Sequence, residues 1–577
     1  MEPYVPTLSK DWSLRRDRYD FVIVGSGYGG SIMAARLASA DPLRKPSVCL
    51  LERGKEWPLA QLPDTFDAFL ANVRGRVPFR NGENPLGLYD IVNATDITVL
   101  KGNGLGGTSL VNANVAIVPE DAAFQRSGWP ASLNARSLAP FYARAAGVLK
   151  LAKLPCTPGG APCDQQPRKR LALEKRAKQL GMHTELCDVV VNFEDLADNG
   201  FGVAQPKCTR CGDCITGCRV GAKNTLYMNY LPWAWRNGAE IFTQTEVLWL
   251  EPVPGGGWLV HGVHRPDSDS SQPFALKAAD VVLAAGALNS PEILLRSAAH
   301  GLPVTPHVGS SFSGNGDFFG ISYNGADFLQ VLGFGNHPES PGAAYPPGPT
   351  ITTKLQYRSA SDPATHFLFE DVSFPSALRQ NAQQLFPFLL GEDFGGDPAV
   401  KLRRELLDIG QTAPFSPDGA LNHSMLYLAM AFDNAQGRIV LKTSHAEPEG
   451  KADIVWHGAG TEPIFKTMDD ELRQHARALG GRFIENPTWS FLGLKHLITA
   501  HPLGGCPIGA DHTQGAANQF GEVYASDGSV LEGLLVVDGS LVPGALAVNP
   551  LFTISALAEW IAEHQIRKLA GRLGGET

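Results

Sequence analysis

Residues 19–38 read Tyr19-Asp-Phe-Val-Ile-Val-Gly25-Ser-Gly-Tyr-Gly-Gly30-Ser-Ile-Met-Ala-Ala-Arg-Leu-Ala38, and this stretch decides the fold. The apolar run that ends at Val24 predicts a buried parallel strand. The residues from Ser31 onward have helical spacing and strong helix formers, so they predict a helix. A strand, a G-x-G-x-x-G loop and a helix in this order are the context in which a dinucleotide binds.

The glycines of this loop have separate predicted roles at a dinucleotide site. Gly25 permits the tight turn, Gly27 lets the backbone approach a pyrophosphate, and Gly30 lets the helix pack closely. The start of the helix offers amide donors and a partial positive charge to phosphates. A second strand is predicted at residues 47–51, and Glu52 follows it. An acid at the end of this strand hydrogen-bonds the ribose hydroxyls of an adenosine. The same loop contributes Tyr28 and Gly29 to the predicted cofactor site.

Three further glycine-containing segments favour FAD over NAD. Each segment alone is also typical of an ordinary tight turn. Because they are spread along the whole chain, together they indicate one long cofactor that discontinuous segments hold. The candidate residues are Gly104, Gly107, Asn112 and Asn114 in segment 101–114, Gly286 in segment 280–295, and Asp538 and Gly539 in segment 534–540.

Composition limits the class of protein. The chain has 577 residues, of which 44% are apolar and 19% charged, which is ordinary globular material for two to four domains. A net charge of −9 argues against a nucleic-acid partner. No apolar run reaches about 18 residues, so no transmembrane span is expected. Because no signal peptide is recognised, we expect a cytoplasmic location.

Four of the nine cysteines lie in the run Cys208-Thr-Arg-Cys211-Gly-Asp-Cys214-Ile-Thr-Gly-Cys218. The spacing C-x2-C-x2-C-x3-C is typical of thiolates that hold iron and sulfide. A single zinc ion normally joins two pairs of ligands across a dozen or more residues, so zinc is a weaker alternative. A third interpretation is a vestigial site that holds nothing. The run therefore predicts an iron–sulfur cluster, [4Fe-4S] or [3Fe-4S].

The sequence leaves open which residue is the last ligand of this cluster. In two-cluster ferredoxins the fourth cysteine of such a run serves the other cluster, and this chain has no second run. Cys218 closes the same cluster, or one cysteine among Cys156, Cys163 and Cys187 does, or the cluster lacks one iron.

Segments along both ends and the middle of the chain resemble the glucose–methanol–choline (GMC) oxidoreductases, and within them the bacterial cholesterol oxidase branch. The likeness is weak between about residues 320 and 495. The cysteine run departs from the secreted, oxygen-using cholesterol oxidases, which puts oxygen as electron acceptor in doubt. The resemblance is carried by residues 25–30, 104–112, 221–226, 229–231, 501–507, 538–543 and 548–550.

The resemblance implies an α/β fold in which a Rossmann-type FAD-binding domain is interleaved with a substrate domain built on an antiparallel sheet. It also implies non-covalent FAD, with Val247 near the adenine and Asn112 and Asn114 near the flavin. We expect FAD-domain parts at 17–120, at 201–318 with the cysteine run 208–218, and at 495–577. The substrate domain is expected at 121–200 and 319–494.

The resemblance further implies oxidation of an alcohol, with His501 and Asn549 at the reacting centre. A histidine suits the role of base because its unperturbed pKa lies near neutrality. The helix predicted after Pro550 would direct its positive end at the flavin. Glu370, in the apolar run Phe367-Leu-Phe-Glu-Asp-Val372, is a candidate for moving a proton within a steroid substrate.

The leading hypothesis is an FAD-dependent dehydrogenase of a bulky hydrophobic alcohol of the steroid, terpenoid or aryl type. Electrons would leave through the cluster to a protein or quinone acceptor. The first alternative is an oxygen-using sterol oxidase with isomerase activity through Glu370. The second belongs to another class: an isomerase, hydratase or electron-transfer protein that uses FAD and cluster as scaffold.

Overall fold

The computed structural model describes residues 5–40, 45–75, 83–126, 128–155, 166–335, 346–359, 361–411, 414–444, 448–490 and 494–574. The helices are α1 (Tyr28–Ala38), α2 (Phe66–Ala71), α3 (Asp121–Gln125), α4 (Ala135–Leu149), α5 (Arg170–Leu180), α6 (Tyr230–Arg236), α7 (Asn289–Ala299), α8 (Arg379–Leu385), α9 (Pro398–Gly410), α10 (Pro463–Leu479), α11 (Pro487–Ser490) and α12 (Leu551–Gly574). No helix among the described residues is long and apolar enough to cross a membrane.

Strands of very different lengths alternate with these helices. They are β1 (Arg18–Val24), β2 (Val48–Leu51), β3 (Tyr89–Asn93), β4 (Ile97–Gly102), β5 (Ala152–Lys153), β6 (Glu185–Leu186), β7 (Asp188–Val189), β8 (Glu240–Phe242), β9 (Thr245–Pro252), β10 (Trp258–His264), β11 (Gln272–Leu283), β12 (Phe318–Tyr323), β13 (Ile351–Tyr357), β14 (Phe367–Val372), β15 (Glu392–Asp393), β16 (Met425–Ala431), β17 (Arg438–Lys442), β18 (Lys451–Val455), β19 (Arg482–Ile484), β20 (Leu497–Thr499), β21 (Glu522–Tyr524) and β22 (Val530–Val536).

A parallel sheet forms the first centre of the fold. Strands β22, β11, β1, β2 and β8 lie side by side in parallel, and β10 and β9 continue from β11 as an antiparallel pair. The last four residues of β1, at 21–24, are all apolar and buried, as is typical of a parallel strand that is covered on both faces. Since these strands come from three distant stretches of sequence, the predicted discontinuous α/β domain is confirmed.

Helix α1 packs against the buried helix α12, which joins the beginning of the chain to its end. Gly25 adopts a positive φ of 96°, and a Cβ atom there would lie 2.4 Å from the carbonyl oxygen of Ala284. Only glycine permits this close approach of β1 and β11 at the turn into the helix. The predicted role of Gly25 in a tight turn therefore has a direct structural basis.

An antiparallel sheet forms the second centre, in the order β15-β19-β12-β16-β14-β13-β6. Its two faces differ because successive residues of a strand point to opposite sides. Phe369 of β14 packs into an apolar core with α10, whereas Leu368 and Val372 pack into the core shared with the parallel sheet. The predicted antiparallel substrate sheet is thus present, and the residue limits of the domains stay a prediction.

Candidate active site

A large cavity lies at the carboxyl ends of β1, β2 and β11, where open α/β sheets bind their ligands. The space between protein atoms measures about 1440 Å³, and this volume includes the part that is open to solvent. The predicted cofactor residues that line it are Gly25, Gly27, Tyr28, Gly29, Glu52, Gly107, Asn112, Asn114, Val247, Gly286, Asp538, Gly539 and Asn549. Residues from six distant parts of the chain therefore meet at one cavity.

Two predicted cofactor residues do not line the cavity. A Cβ atom on Gly30 would lie 1.9 Å from the carbonyl oxygen of Gly25, so this glycine serves the packing of α1, as predicted for it. A Cβ atom on Gly104 would lie 2.6 Å from the ring of Trp57, so Gly104 also serves packing. At Gly27, by contrast, a Cβ atom would meet no described protein atom within 4 Å, because this residue faces the cavity.

Polar groups along the cavity wall fit a dinucleotide. Both carboxylate oxygens of Glu52 accept backbone hydrogen bonds, from Ser26 at 3.1 Å and Gly54 at 2.8 Å, which fixes the acid at the strand end. Asn112 donates to the hydroxyl of Tyr28 at 2.8 Å. The amide of Asn114 is fully buried, and neither of its polar atoms has a partner within the described chain. A buried polar group without a partner is costly, so this wall is suited to a polar ligand.

His501 lines the same cavity and is held by Asp317, a residue that the sequence did not single out. Nδ1 of His501 lies 2.9 Å from Oδ1 of Asp317, which is fully buried. The other oxygen of Asp317 accepts from the Thr499 hydroxyl and the Ala500 amide, both at 2.9 Å. Burial lowers the pKa of His501, but the Asp317 carboxylate outweighs this effect and the net shift is upward. Nε2 is thereby the ring nitrogen available for proton transfer.

Asn549 and Glu370 form a second pair at this end of the cavity. The Asn549 side-chain amide donates to Oε2 of Glu370 at 3.2 Å, across 179 residues of sequence. Glu370 is completely buried, and burial raises its pKa to about 8. Oδ1 of Asn549 and Oε1 of Glu370 have no partner among the described residues. Of the three predicted catalytic candidates, His501 and Asn549 line the cavity, whereas Glu370 lies behind its wall and is joined to it through Asn549.

One short loop supports both pairs. Asp317 lies two residues after Asn315, and Asn315 accepts from the amides of Leu546 and Ala547 at 2.8 and 3.0 Å. Asn315 also donates to the carbonyl of Val548 at 2.9 Å. Ala547 has a positive φ of 55°, which is unfavourable for a residue with a Cβ atom. These bonds hold the strained backbone just before Asn549, and a sequence pattern gives no sign of them.

Helix α12 starts at Leu551, directly after Pro550, and both residues line the cavity. The predicted helix is therefore present, and it begins at the large cavity. The predicted apolar stripe is also buried, with Ile554 half-buried and Leu557, Ala558 and Ile561 fully buried. The positive end of the helix is directed at the cavity, where it favours negative charge.

The cysteine run has no helix or strand of its own, and Cys211 forms an isolated bridge with Gly348. Cys208, Cys211, Cys214 and Cys218 line one small cavity, and all four are free thiols. Burial raises the pKa of Cys208, Cys211 and Cys218, which favours the protonated thiol. No group of three or more His, Cys, Asp or Glu side chains in the described ranges is arranged to hold a metal ion.

The four thiols share one cavity, which suits a cluster in which each thiolate binds a different iron. The described side chains do not converge on one metal position, which argues against a single zinc ion. A tetrahedral ion with sulfur ligands at about 2.3 Å requires the sulfur atoms to meet closely. Cys187 does not line this cavity and instead lies beside β13, where its amide donates to the carbonyl of Thr352 at 2.9 Å. Cys156 and Cys163, which were also candidates for the last ligand, lie outside the described residues.

Lys223 connects the cysteine cavity with the large cavity. Its ammonium donates to the carbonyl of Asn112 at 2.6 Å and to the carbonyl of Cys214 at 3.1 Å. The lysine is buried and lines the cysteine cavity, while Asn112 lines the large one. One buried lysine therefore contacts a residue of each cavity.

Comparison with known proteins agrees with this geometry. The family model for the N-terminal part of the GMC oxidoreductases matches residues 19–313, and the model for the C-terminal part matches residues 433–558. A cholesterol oxidase from Acinetobacter baumannii is 26% identical over 94% of this chain and 93% of its own length. A cholesterol oxidase from Mycobacterium tuberculosis is 27% identical over 94% of this chain and 90% of its own length.

Solved structures support the same fold. A variant of the formate oxidase from Aspergillus oryzae RIB40 superimposes with a TM-score of 0.61. The match covers 96% of this chain and 99% of the other, at 15% sequence identity, and so concerns the fold alone. With two family models that together match most of its length, the chain belongs to the GMC oxidoreductases, a family of enzymes that bind FAD.

Proposed function

We propose that this protein is an FAD-dependent alcohol dehydrogenase that acts on a bulky hydrophobic alcohol. The observation that carries the proposal is that His501, backed by Asp317, and Asn549, bonded to Glu370, line one cavity. Such a site can remove the proton of a hydroxyl group and fix the position of its oxygen. FAD, when bound, supplies the acceptor for the hydride that leaves the carbinol carbon.

The residues of the chain then have distinct tasks. Nε2 of His501 takes the hydroxyl proton, and Asp317 stabilises the imidazolium that results. Asn549 positions the substrate oxygen. The N-terminus of α12 favours negative charge in the part of the cavity beside it, by roughly 0.5–1 kcal/mol on the usual scale of helix ends.

The surroundings of Glu370 support a hydrophobic substrate. Leu368, Val372, Leu428 and Met430 flank it on the sheet face that packs towards the FAD domain. Such an apolar surface matches a steroid, terpenoid or aryl alcohol better than a sugar. The names of the two cholesterol oxidase relatives favour the same class of substrate.

Anaerobic stopped-flow measurement of flavin bleaching tests the dehydrogenase. Cholesterol and a large aryl alcohol are the trial substrates, and His501→Ala is the variant. We expect a loss of about 10²- to 10⁴-fold in the rate of flavin reduction, the usual contribution of a general base. His496→Ala is the matched control, since His496 hydrogen-bonds Thr98 outside the cavity. An unchanged rate in His501→Ala would contradict the assignment of the base.

We also propose that Cys208, Cys211, Cys214 and Cys218 would hold an iron–sulfur cluster, and that such a cluster would supply an electron path to a protein or quinone acceptor. The support is that four thiols line one cavity and that Lys223 bonds both to Cys214 there and to Asn112 of the large cavity. Iron and sulfide content of anaerobically purified protein tests this proposal. Cys214→Ser should remove both, whereas Cys506→Ser, another buried cysteine, should not. Iron-free wild-type protein that still reduces a dye would contradict the cluster.

An oxygen-using sterol oxidase with isomerase activity is a second candidate, favoured by the buried Glu370. A carboxyl with a pKa of about 8 is able to carry a proton from one carbon to another. Fast hydrogen peroxide formation and slow dye reduction would favour this candidate. Loss of the isomerised product in Glu370→Gln, with oxidation retained, would assign the isomerisation to that residue.

A further inference from the structure

A row of ionisable residues crosses the edge of the antiparallel sheet and ends at the candidate active site. Lys354 of β13 pairs directly with Glu185 of β6 on one side and with Glu370 of β14 on the other. Directly opposed residues of antiparallel strands share one face of the sheet, with Cβ atoms about 4.5–5.5 Å apart. Glu185, Lys354 and Glu370 therefore form a continuous line on the face where Glu370 meets Asn549.

The line runs from solvent into the interior. The side chain of Glu185 is 56% exposed, that of Lys354 is 13% exposed, and Glu370 is fully buried. Nζ of Lys354 lies 3.2 Å from Oε2 of Glu185. An ionisable residue at each of three successive strand positions is unusual on a face that otherwise buries apolar side chains.

The other groups around Glu370 do not connect it to solvent. Asn549 carries no titratable proton, and His501 lies towards the FAD cavity. Asp371 points to the opposite face of β14 and is held by Thr352 and Thr353. The thiol of Cys187 is buried, and burial raises its pKa well above the usual value. Of the described groups that act on Glu370, Lys354 alone is ion-paired with an exposed side chain.

The proposed dehydrogenation creates a need for such a connection. The alcohol loses one hydride to FAD and one proton to His501, so His501 must release that proton before the next turnover. When electrons leave one at a time to an acceptor other than oxygen, no peroxide is formed to carry protons away. A route through the protein would carry these protons to solvent without passing through the cavity that substrate fills.

We propose that Glu370, Lys354 and Glu185 form a proton exit from the active site to solvent. In this path Glu370 takes the proton of His501 once it has given its own proton to Lys354. The Lys354 ammonium gives a proton to Glu185, which releases it to solvent. The neutral Lys354 amine then takes the proton of Glu370, and all three groups return to their starting states. The purpose of the path rests on the proposed dehydrogenase, but its existence does not.

Time-resolved infrared spectroscopy of the FAD-loaded enzyme after a pH jump tests the path without substrate or electron acceptor. The jump goes from above to below the Glu370 pKa of about 8. The rise of the carboxylic acid band, assigned by its absence in Glu370→Gln, gives the rate at which solvent protons reach Glu370. In Lys354→Met and Glu185→Gln we expect this rate to fall about tenfold or more. Lys175→Met, which breaks the exposed ion pair with Asp327, is the control and should match the wild type.

Lys354→Arg separates a relay from a purely electrostatic effect. Arginine keeps the positive charge but does not release its proton, so a relay is slowed as much as in Lys354→Met. A wild-type rate in Lys354→Arg, or in both Lys354→Met and Glu185→Gln, would overturn the proposed exit. Failure of the dehydrogenase proposal would show separately, as absence of flavin reduction by alcohols with an unchanged infrared response.

Discussion

Oδ1 of Asp317 lies 2.9 Å from Nδ1 of His501, although 184 residues of sequence separate the two. Asp317 directly precedes β12 of the antiparallel sheet. His501 lies two residues after β20, which pairs with β4. The contact therefore joins the substrate sheet to the end of the chain that lines the FAD cavity. Both the orientation and the proton affinity of the histidine depend on it.

Asp317→Asn should reduce the rate of flavin reduction by about 10²-fold, because the imidazolium loses its counter-charge. Since the carboxylate raises the pKa of His501, its removal lowers that pKa. The acidic limb of the pH–rate profile should therefore move to lower pH while the maximum rate falls. Asp527→Asn, in an exposed turn, serves as control. A lower rate with an unmoved acidic limb would mean that Asp317 acts only on stability.

Asn315→Ala should lower kcat more than it raises KM, because the backbone before Asn549 loses its three hydrogen bonds to the amide side chain. Two buried N–H groups and one carbonyl would be left unpaired, at a cost of about 1–3 kcal/mol each. Asn315→Asp keeps the acceptor for both N–H groups and should recover part of kcat. Steady-state kinetics and urea unfolding of both variants measure the two effects. Equal kcat values for the two variants would argue against a positioning role.

Glu370 should make the stability of the protein fall as the pH rises. Burial raises its folded-state pKa to about 8, above the unfolded value of about 4.3, so the folded state holds the proton more tightly. The contribution of Glu370 to the free energy of unfolding is complete below its pKa in the unfolded state. It is lost as the pH rises through its pKa in the folded state. Glu370→Gln should flatten this part of the profile. Urea unfolding at a series of pH values measures it, and parallel profiles for variant and wild type would contradict the assignment.

Gly27→Ala should give a folded protein that binds little FAD. Gly27 has a φ of −66°, which alanine adopts readily, and an added Cβ atom would meet no protein atom within 4 Å. The methyl group would project into the cavity, where we expect the cofactor phosphates. We expect FAD content to fall at least about tenfold, since each 1.4 kcal/mol of lost binding is tenfold in affinity.

Gly29→Ala is the contrasting variant. A Cβ atom there would lie 1.5 Å from the carbonyl oxygen of Val537, so the parallel sheet and α1 would have to separate. We expect this variant not to fold, which circular dichroism would show. Any loss of FAD would then follow from the loss of the fold. If Gly27→Ala bound FAD normally, the pyrophosphate would have to lie elsewhere in the cavity.

Local patterns in the sequence predicted those parts of the protein that depend on neighbouring residues. The strand, glycine loop and helix at residues 19–38 became β1 and α1, because alternation, glycine spacing and helix propensity act over a few residues. The run Phe367–Val372 became strand β14, and the apolar stripe after Pro550 became buried in α12. The family motifs indicated His501 and Asn549, which line one cavity, and the apolar run indicated Glu370, which bonds to Asn549.

Only the tertiary structure supplied the contacts that join distant segments. Neither Asp317 nor Asn315 stands in a motif, since each acts through a partner more than 180 residues away. The row Glu185, Lys354 and Glu370 depends on strand register, which is fixed when one face of a sheet is buried. Sequence alone determined which chemistry this protein has available. The packing of the two sheets decided which side chains meet, because long-range contacts follow from the burial of whole faces rather than from local propensity.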